Sequence, residues 1–237
     1  MSFKQRLVGA IKRFPPLYDF LRYTVYARLR AASRKDVFLR VYKNNYWDGV
    51  YSISGPGSTL EATQHVRTAL PELIATLEAR SLLDIPCGDF QWMKNVPLEV
   101  EKYIGADIVA PLIEKNRKNY SERGTFLNLD VLGDALPHVD VIFCRDCLVH
   151  LSLREVKLAL RNIGRASPKY LVTTTFPHHP VNADTVSPYW RALNFEAAPF
   201  WFPPPILLVK DFASDRRDKY LGVWRMEDLA GPIDSLR

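Results

Sequence analysis

The sequence predicts an α/β fold: a seven-stranded, mostly parallel sheet with helices on both faces and a C-terminal antiparallel strand pair. Three observations predict it. Five short apolar or β-branched runs, at 81–85, 102–107, 125–129, 139–143 and 170–175, alternate with stretches of helical spacing, which is the pattern of βαβ units. The first run, Leu82, Leu83 and Ile85, is apolar at successive positions, as in a strand buried on both faces. The last two runs, Ile206 to Phe212 and Tyr220 to Arg225, are joined by the charged turn Ala213 to Lys219, too short for a crossover, so they are antiparallel.

The first strand runs into Pro86-Cys87-Gly88-Asp89, a tight turn flanked by two carboxylates, Asp84 and Asp89. A pyrophosphate-binding loop needs several glycines to bring backbone N–H groups onto the anion, and this loop has one. Its carboxylates repel phosphate and attract a ligand with cationic groups, such as the α-ammonium and sulfonium of S-adenosylmethionine. The second strand, Lys102-Tyr103-Ile104-Gly105-Ala106-Asp107, ends in an acid 23 residues after Asp84, placed for ribose hydroxyls.

On these two motifs, across residues 44 to 225, the chain resembles the class I S-adenosylmethionine-dependent methyltransferases. The resemblance implies a Rossmann-like sheet that ends in a reversed strand beside the fifth, and S-adenosylmethionine as cofactor. Asp89 stands where that family usually has a second glycine. The candidate cofactor-binding residues are Trp47, Ser54, Gly55, Gly57, Ser58, Asp84, Pro86, Cys87, Gly88, Asp89, Asp107, Ile108, Asp130, Val131 and Arg145.

With 237 residues and 47% hydrophobic content, the chain suits one full core, here a methyltransferase domain over 44–237 behind a basic helical extension over 1–43. The extension holds eleven Lys or Arg against Asp19 and Asp36, a surplus of nine, so the remaining residues carry −3 of the net +6. Three cysteines give no disulfide framework. Pro15, Pro16 and the arginines interrupt any signal-like apolar segment, which predicts a cytoplasmic protein; a peripheral contact with the inner membrane through the basic extension stays open beside other readings.

Within the extension, Phe3, Leu7, Val8 and Ile11 fall at helical spacing among basic residues, and a second helical stretch follows Pro16 to about Tyr42. Three readings stay open for it: a cap over the cofactor cleft, an interfacial helix on anionic lipid, and, disfavoured for want of a binding motif, a nucleic-acid face. Ser54-Gly55-Pro56-Gly57-Ser58 is a turn, and Ser58-Thr59-Leu60-Glu61 has the capping-box pattern, which predicts a helix N-terminus there holding the cofactor's carboxylate. That helix runs through Val66 and Leu70, with Pro71 opening a second segment through Ile74 and Leu77. Phe90 to Met93 open a short helix that ends before Pro97, with Trp92 in the core, and Pro111 begins another to about Arg123.

Asp130 ends the third strand; the resemblance implies that it accepts from an adenine amino group while Leu129 and Val131 sandwich the ring. After the fourth strand comes Cys144-Arg145-Asp146-Cys147-Leu148-Val149-His150. A closed zinc site needs a fourth ligand and only Cys87 is left, so no metal is expected. His150 and Asp146 are candidate catalytic residues: His150 as base because imidazole titrates near neutrality, Asp146 to orient an acceptor hydroxyl. His178 and His179 are substitute bases.

Ser152 to Glu155 is a second capping box, followed by Leu153, Val156, Leu160 and Ile163 on one face, with Gly164 and Pro168 closing the helix. Residues 176–205, rich in aromatics, read either as an acceptor pocket or as a cover packed on the sheet. The acceptor is a small molecule or glycan. A Ser-Gly-Pro-Gly-Ser turn ahead of Asp-x-Pro-Cys-Gly-Asp-Phe-x-Trp resembles bacterial methyltransferases associated with surface polysaccharide synthesis, which implies O-methylation of a sugar hydroxyl. The alternatives are a non-catalytic cofactor-binding scaffold and an NAD-dependent oxidoreductase.

Overall fold

The structure is a computed structural model and describes residues 32–47, 49–211 and 218–236. Seven strands form one sheet: β1 (Ser81–Asp84), β2 (Lys102–Asp107), β3 (Thr125–Asn128), β4 (Val141–Cys144), β5 (Tyr170–Thr175), β6 (Leu207–Lys210) and β7 (Tyr220–Arg225). Their order is β3-β2-β1-β4-β5-β7-β6; β1 to β5 are parallel, and β7 runs antiparallel to β5 and β6. Every expected strand is present, and the reversed strand lies beside the fifth. The chain moves outward from β1 through β2 to β3, then returns to the other side of β1 as β4. A crevice opens at such a reversal, at the carboxyl ends of the strands.

The described helices are α1 (Arg34–Lys43), α2 (Gln64–Thr76), α3 (Ala110–Tyr120), α4 (Leu153–Ala166) and α5 (Met226–Ser235). Successive strand residues feed opposite faces of the sheet. Leu82, Val141 and Phe143 pack with Val66, Leu70, Leu73 and Ile74 of α2 and Ile113 of α3. Leu83, Ile142 and Cys144 pack with Val156, Leu160 and Ile163 of α4 and Leu229 and Ile233 of α5. Both faces are therefore covered, which is why the strands carry apolar residues at consecutive positions.

Several expectations are corrected. No capping box forms at Ser58. Residues Pro56–Ser58 make one 3-10 turn, Thr59 Oγ1 accepts from the Ala62 N–H at 3.1 Å, and α2 begins only at Gln64. Pro71 does not divide α2, because Val66, Leu70, Leu73 and Ile74 present one continuous buried face on either side of it. The short helix expected after Phe90 is a single 3-10 turn, Met93–Asn95, which starts three residues later than expected and ends before Pro97. Gly164 stays inside α4, which ends at Ser167 in the left-handed region (φ 49). The second capping box does form: Ser152 Oγ accepts from the Glu155 N–H at 3.3 Å, and Glu155 Oε2 accepts from the Ser152 N–H at 2.9 Å. Helix α5 had no counterpart among the expected elements. The amphipathic helix of 3–11 and most of the stretch after Pro16 lie outside the described residues.

The aromatics of 176–205 are mostly core. Phe195, Phe200 and Phe202 are buried around Trp224 of β7, with Phe195 stacked on Phe202 at 5.4 Å. Of the two readings, the packed cover describes most of this segment.

One carboxylate fastens the opposite end of the sheet. Asp140, just before β4, accepts from the Arg80 and Ser81 N–H groups at 2.8 and 3.0 Å and pairs with Lys169 at 2.8 Å, so the starts of β1, β4 and β5 share it. The bond to Lys169, helped by Arg80 and Ser81 against partial burial, lowers its pKa to about 2. Hydrogen bonds to a charged group contribute roughly 1.5–3 kcal/mol each when buried, less in this half-wet position. Asp140→Asn is expected to lower stability by about 1–2 kcal/mol at pH 7 in urea unfolding. A depressed carboxylate pKa stabilises above the unfolded value of about 4, so the gap to wild type closes as pH falls from about 4 towards 2.

Candidate active site

A cavity of about 690 Å³ lies at the carboxyl ends of β1, β2 and β4, lined by the segments that follow them, 84–89, 107–109 and 145–147, and by 53–59 and 129–132. Its first wall is the loop after β1. Gly88 has φ 55, and a Cβ on it would meet Ser54 Oγ at 2.3 Å, so only glycine fits. The Cys87 N–H donates to Ala106 O at 2.8 Å, the Gly88 N–H to Asp107 Oδ2 at 3.2 Å, and Asn116 Nδ2 to Gly88 O at 2.8 Å. Phe90 follows at φ 59, a strained position for a bulky residue, held by its rings' packing on Tyr103, Tyr120 and Phe126 at 5.1–5.5 Å.

Asp89 binds this loop to the Gly-Pro-Gly turn. Its carboxylate accepts from Ser52 Oγ and the Ile53 N–H, both at 3.0 Å, and its own N–H donates to Ser54 Oγ at 3.0 Å. Two buried acids stand at the strand ends. Burial pushes the pKa of Asp84 up to about 7, against the Tyr103 hydroxyl that donates to it at 2.6 Å. Burial raises Asp107 to about 6, although the Val109 and Gly88 N–H groups favour its charged form.

The second wall is an ion-pair cluster joining the ends of β4 and β6 to the start of β7. Arg145 donates to both oxygens of Asp211 at 2.8 and 2.9 Å and to Gly57 O at 3.0 Å, and lies over the Trp92 ring at 5.4 Å. Lys219 Nζ is 2.6 Å from Asp146 Oδ2 and 3.1 Å from Asp211 Oδ2. Asp146 takes φ 52 and donates its N–H to Thr174 Oγ1 at 2.8 Å. Burial alone would raise its pKa, but Lys219 and Arg145 outweigh that and hold it well below the usual carboxylate range. Asp146 is thus a fixed anion and a poor proton acceptor at neutral pH.

His150 ends the 3-10 turn Leu148–His150. Its Nδ1 lies 2.9 Å from Pro188 O. A carbonyl only accepts, so Nδ1 carries the proton and Nε2 keeps the lone pair. Burial lowers the ring's pKa, against that hydrogen bond, so the neutral base form prevails at pH 7. Trp47 packs against the ring at 5.2 Å. Arg191 staples the turn, donating to Leu148 O at 2.9 Å and Leu151 O at 2.6 Å.

The structure gathers Trp47, Ser54, Gly55, Gly57, Ser58, Asp84, Pro86, Cys87, Gly88, Asp89, Asp107, Ile108, Asp130, Val131, Arg145, Asp146 and His150 around this one cavity. His178 and His179 are not among its lining; His178 is exposed and packs edge-on against Tyr220 at 6.4 Å. Arg145 commits Nε and Nη2 to Asp211 and Gly57 O and turns Nη1 towards Asp146 at 3.3 Å, so within the cavity it holds the turn at Gly57. From 176–205 the lining takes Trp190 alone. Sequence reasoning missed Asp211 and Lys219, and no local motif marks them, because their partners lie 66 and 73 residues away in the chain. Four α1 residues that no motif had marked, Arg34, Phe38, Val41 and Tyr42, also line the cavity. These residues act as a cover, the first of the three readings of the extension.

No protein-family model matches the chain, and no curated protein does. Solved structures do. The 1,6-didemethyltoxoflavin-N1-methyltransferase of Burkholderia thailandensis, bound to S-adenosylhomocysteine, is 16% identical with a TM-score of 0.55, over 85% of this chain and 89% of its own. The magnesium protoporphyrin IX methyltransferase of Synechocystis PCC 6803 is 15% identical with a TM-score of 0.54, over 82% and 99%. An N-methyltransferase of Bradyrhizobium japonicum WM9 is 14% identical with a TM-score of 0.51, over 69% and 96%. At such identities the likeness establishes the fold: the chain has the Rossmann-like fold of the S-adenosylmethionine-dependent methyltransferases.

Proposed function

We propose that this chain is an S-adenosylmethionine-dependent methyltransferase that methylates a hydroxyl of a small, uncharged acceptor, a sugar or glycan being the class the sequence resemblance favours. One observation carries the reading: on this fold, among the described residues, the cavity at the strand reversal is walled by Glu61 and six aspartates, Asp84, Asp89, Asp107, Asp130, Asp146 and Asp211, against Arg34, Arg145 and Lys219. That balance favours a sulfonium and an ammonium over a pyrophosphate, and an uncharged acceptor over a carboxylate or phosphate.

The residues present fit the cofactor. Gly88 leaves open backbone where a side chain would clash, and Asp107, with two N–H bonds in place, keeps lone pairs for ribose hydroxyls. Ile108, Leu129 and Val131 offer apolar sides for a flat base. When bound, S-adenosylmethionine supplies a methyl group on a positively charged sulfur. The protein's own work is to hold the acceptor in line, exclude water and take a proton. His150 Nε2 receives the acceptor's hydroxyl proton, Asp146 and Lys219 orient neighbouring oxygens, and Trp47 and Trp190 close the mouth. Contact of the basic extension with an anionic membrane belongs to the same reading and rests on the charge of residues 1–43.

Two outcomes are expected. His150→Ala lowers methyl transfer to a sugar acceptor by about 10²–10⁴-fold, the usual contribution of a positioned base, while S-adenosylhomocysteine affinity in calorimetry stays unchanged; unchanged turnover removes His150 from the mechanism. Asp84, neutral below its pKa of about 7 and anionic above it, attracts the sulfonium only when ionised. The affinity ratio of S-adenosylmethionine to S-adenosylhomocysteine therefore rises between about pH 6 and 8, and Asp84→Asn flattens that rise.

A further inference from the structure

Arg34, on the first turn of α1, reaches across the cavity wall. Its guanidinium donates to Asp130 Oδ2 at 2.6 Å and lies 3.7 Å from Glu155 Oε1. Both anchors are fixed from elsewhere. Asp130 Oδ1 accepts from the Leu132 N–H at 3.0 Å, and Glu155 Oε2 is held by Ser152 and by Ser187 Oγ at 2.9 Å. The Arg34 side chain as a whole is 30% exposed, yet its Nε is shut away from solvent and has no hydrogen-bond partner among the described residues. A buried N–H of a cation left without an acceptor is costly and uncommon. Ile108, Leu129 and Val131 line the same cavity, apolar side chains suited to the faces of a flat ring. At the ring's edge, Asp130 is an acceptor with spare lone pairs and Arg34 Nε–H is a donor with none engaged. A donor beside an acceptor matches the edge of an aminated heterocycle, which presents an exocyclic amino group next to a ring nitrogen.

We propose that Arg34 is a base-reading residue of the cofactor site: its Nε–H donates to a ring nitrogen of the bound adenine while Asp130 accepts from the amino group. This rests on the S-adenosylmethionine reading above and adds to it a residue from α1, outside the sheet. Arg34 then joins two jobs. It closes α1 over the cavity through Asp130 and Glu155, and it completes that closure only when an adenine fills the slot.

The test measures dissociation constants on the full chain by calorimetry and competition, for S-adenosylhomocysteine and for S-ribosylhomocysteine, which keeps the ribose and amino acid but lacks the base. Arg34→Met keeps the length of the apolar stem and removes the donors. It is expected to weaken S-adenosylhomocysteine by about tenfold to a hundredfold, the range for losing a hydrogen bond from a charged donor, and to leave S-ribosylhomocysteine unchanged. Asp130→Asn, which turns an acceptor into a mixed group, is expected to weaken S-adenosylhomocysteine in the same base-dependent way. Equal weakening of both ligands by Arg34→Met means that α1 is only a cover and overturns the proposal, as does no weakening of either. If wild type binds neither ligand, the cofactor reading itself has failed, and this proposal with it. A melting curve of each variant matching wild type excludes loss of fold as the cause.

Discussion

The site depends on one carboxylate, Asp107. Standing at the end of β2, it accepts from the Gly88 N–H with one oxygen and the Val109 N–H with the other, at 3.2 and 3.0 Å. Without it the loop after β1 would keep the Cys87 N–H bond to Ala106 O but lose its side-chain tie to the end of β2, and Gly88 would lose a bond that keeps it in the left-handed region. Parallel strands supply the reason it sits there. The register sets Asp84 beside Gly105, so β2 runs two residues past the end of β1 and the loop leaving β1 meets the acid that closes β2. Asp89 then passes the same constraint to the Gly-Pro-Gly turn through Ser52, Ile53 and Ser54.

A second constraint is charge. Arg145 and Asp211 are nearly inaccessible, and such a pair gains little net stability because both ions lose their hydration. Its value is geometric. Arg145 fixes Gly57, Asp211 shares Lys219 with Asp146, and Asp146 is held ionised in a left-handed conformation facing the cavity. Backbone strain kept in place by surrounding ion pairs is a feature of functional sites. His150 faces the same space with the opposite character, a half-buried ring kept neutral with its proton on the far nitrogen. The cavity thus separates a fixed anion from a neutral base, and the two are suited to different tasks.

Much of this was legible in the sequence because it is local. Leu82, Leu83 and Ile85 mark a strand buried on both sides, Asp84 and Asp107 mark the ends of successive strands, and Ser152 with Glu155 marks a true helix start. The same logic misled at Ser58 to Glu61, where the capping pattern is present but the Thr59 hydroxyl ties a turn instead and delays the helix to Gln64. It also misled at Phe195, Phe200 and Phe202, whose rings looked available for an acceptor until Trp224, brought in by the reversed strand, claimed them. Helix α5 escaped notice because Gly231 and Pro232 interrupt its pattern, although Leu229 and Ile233 still bury one face of it. Asp211, Lys219 and Arg34 were beyond reach for a different reason. Their meaning comes from partners brought together by the sheet, and no spacing in the chain announces such a partner.

The central claim is that a ring of carboxylates on this fold selects a cationic adenosyl cofactor over a dinucleotide. Titration calorimetry of the full chain with S-adenosylmethionine and, separately, with NAD tests it most directly. The account predicts saturable one-to-one binding of S-adenosylmethionine and no heat from NAD; binding of NAD without binding of S-adenosylmethionine would contradict it.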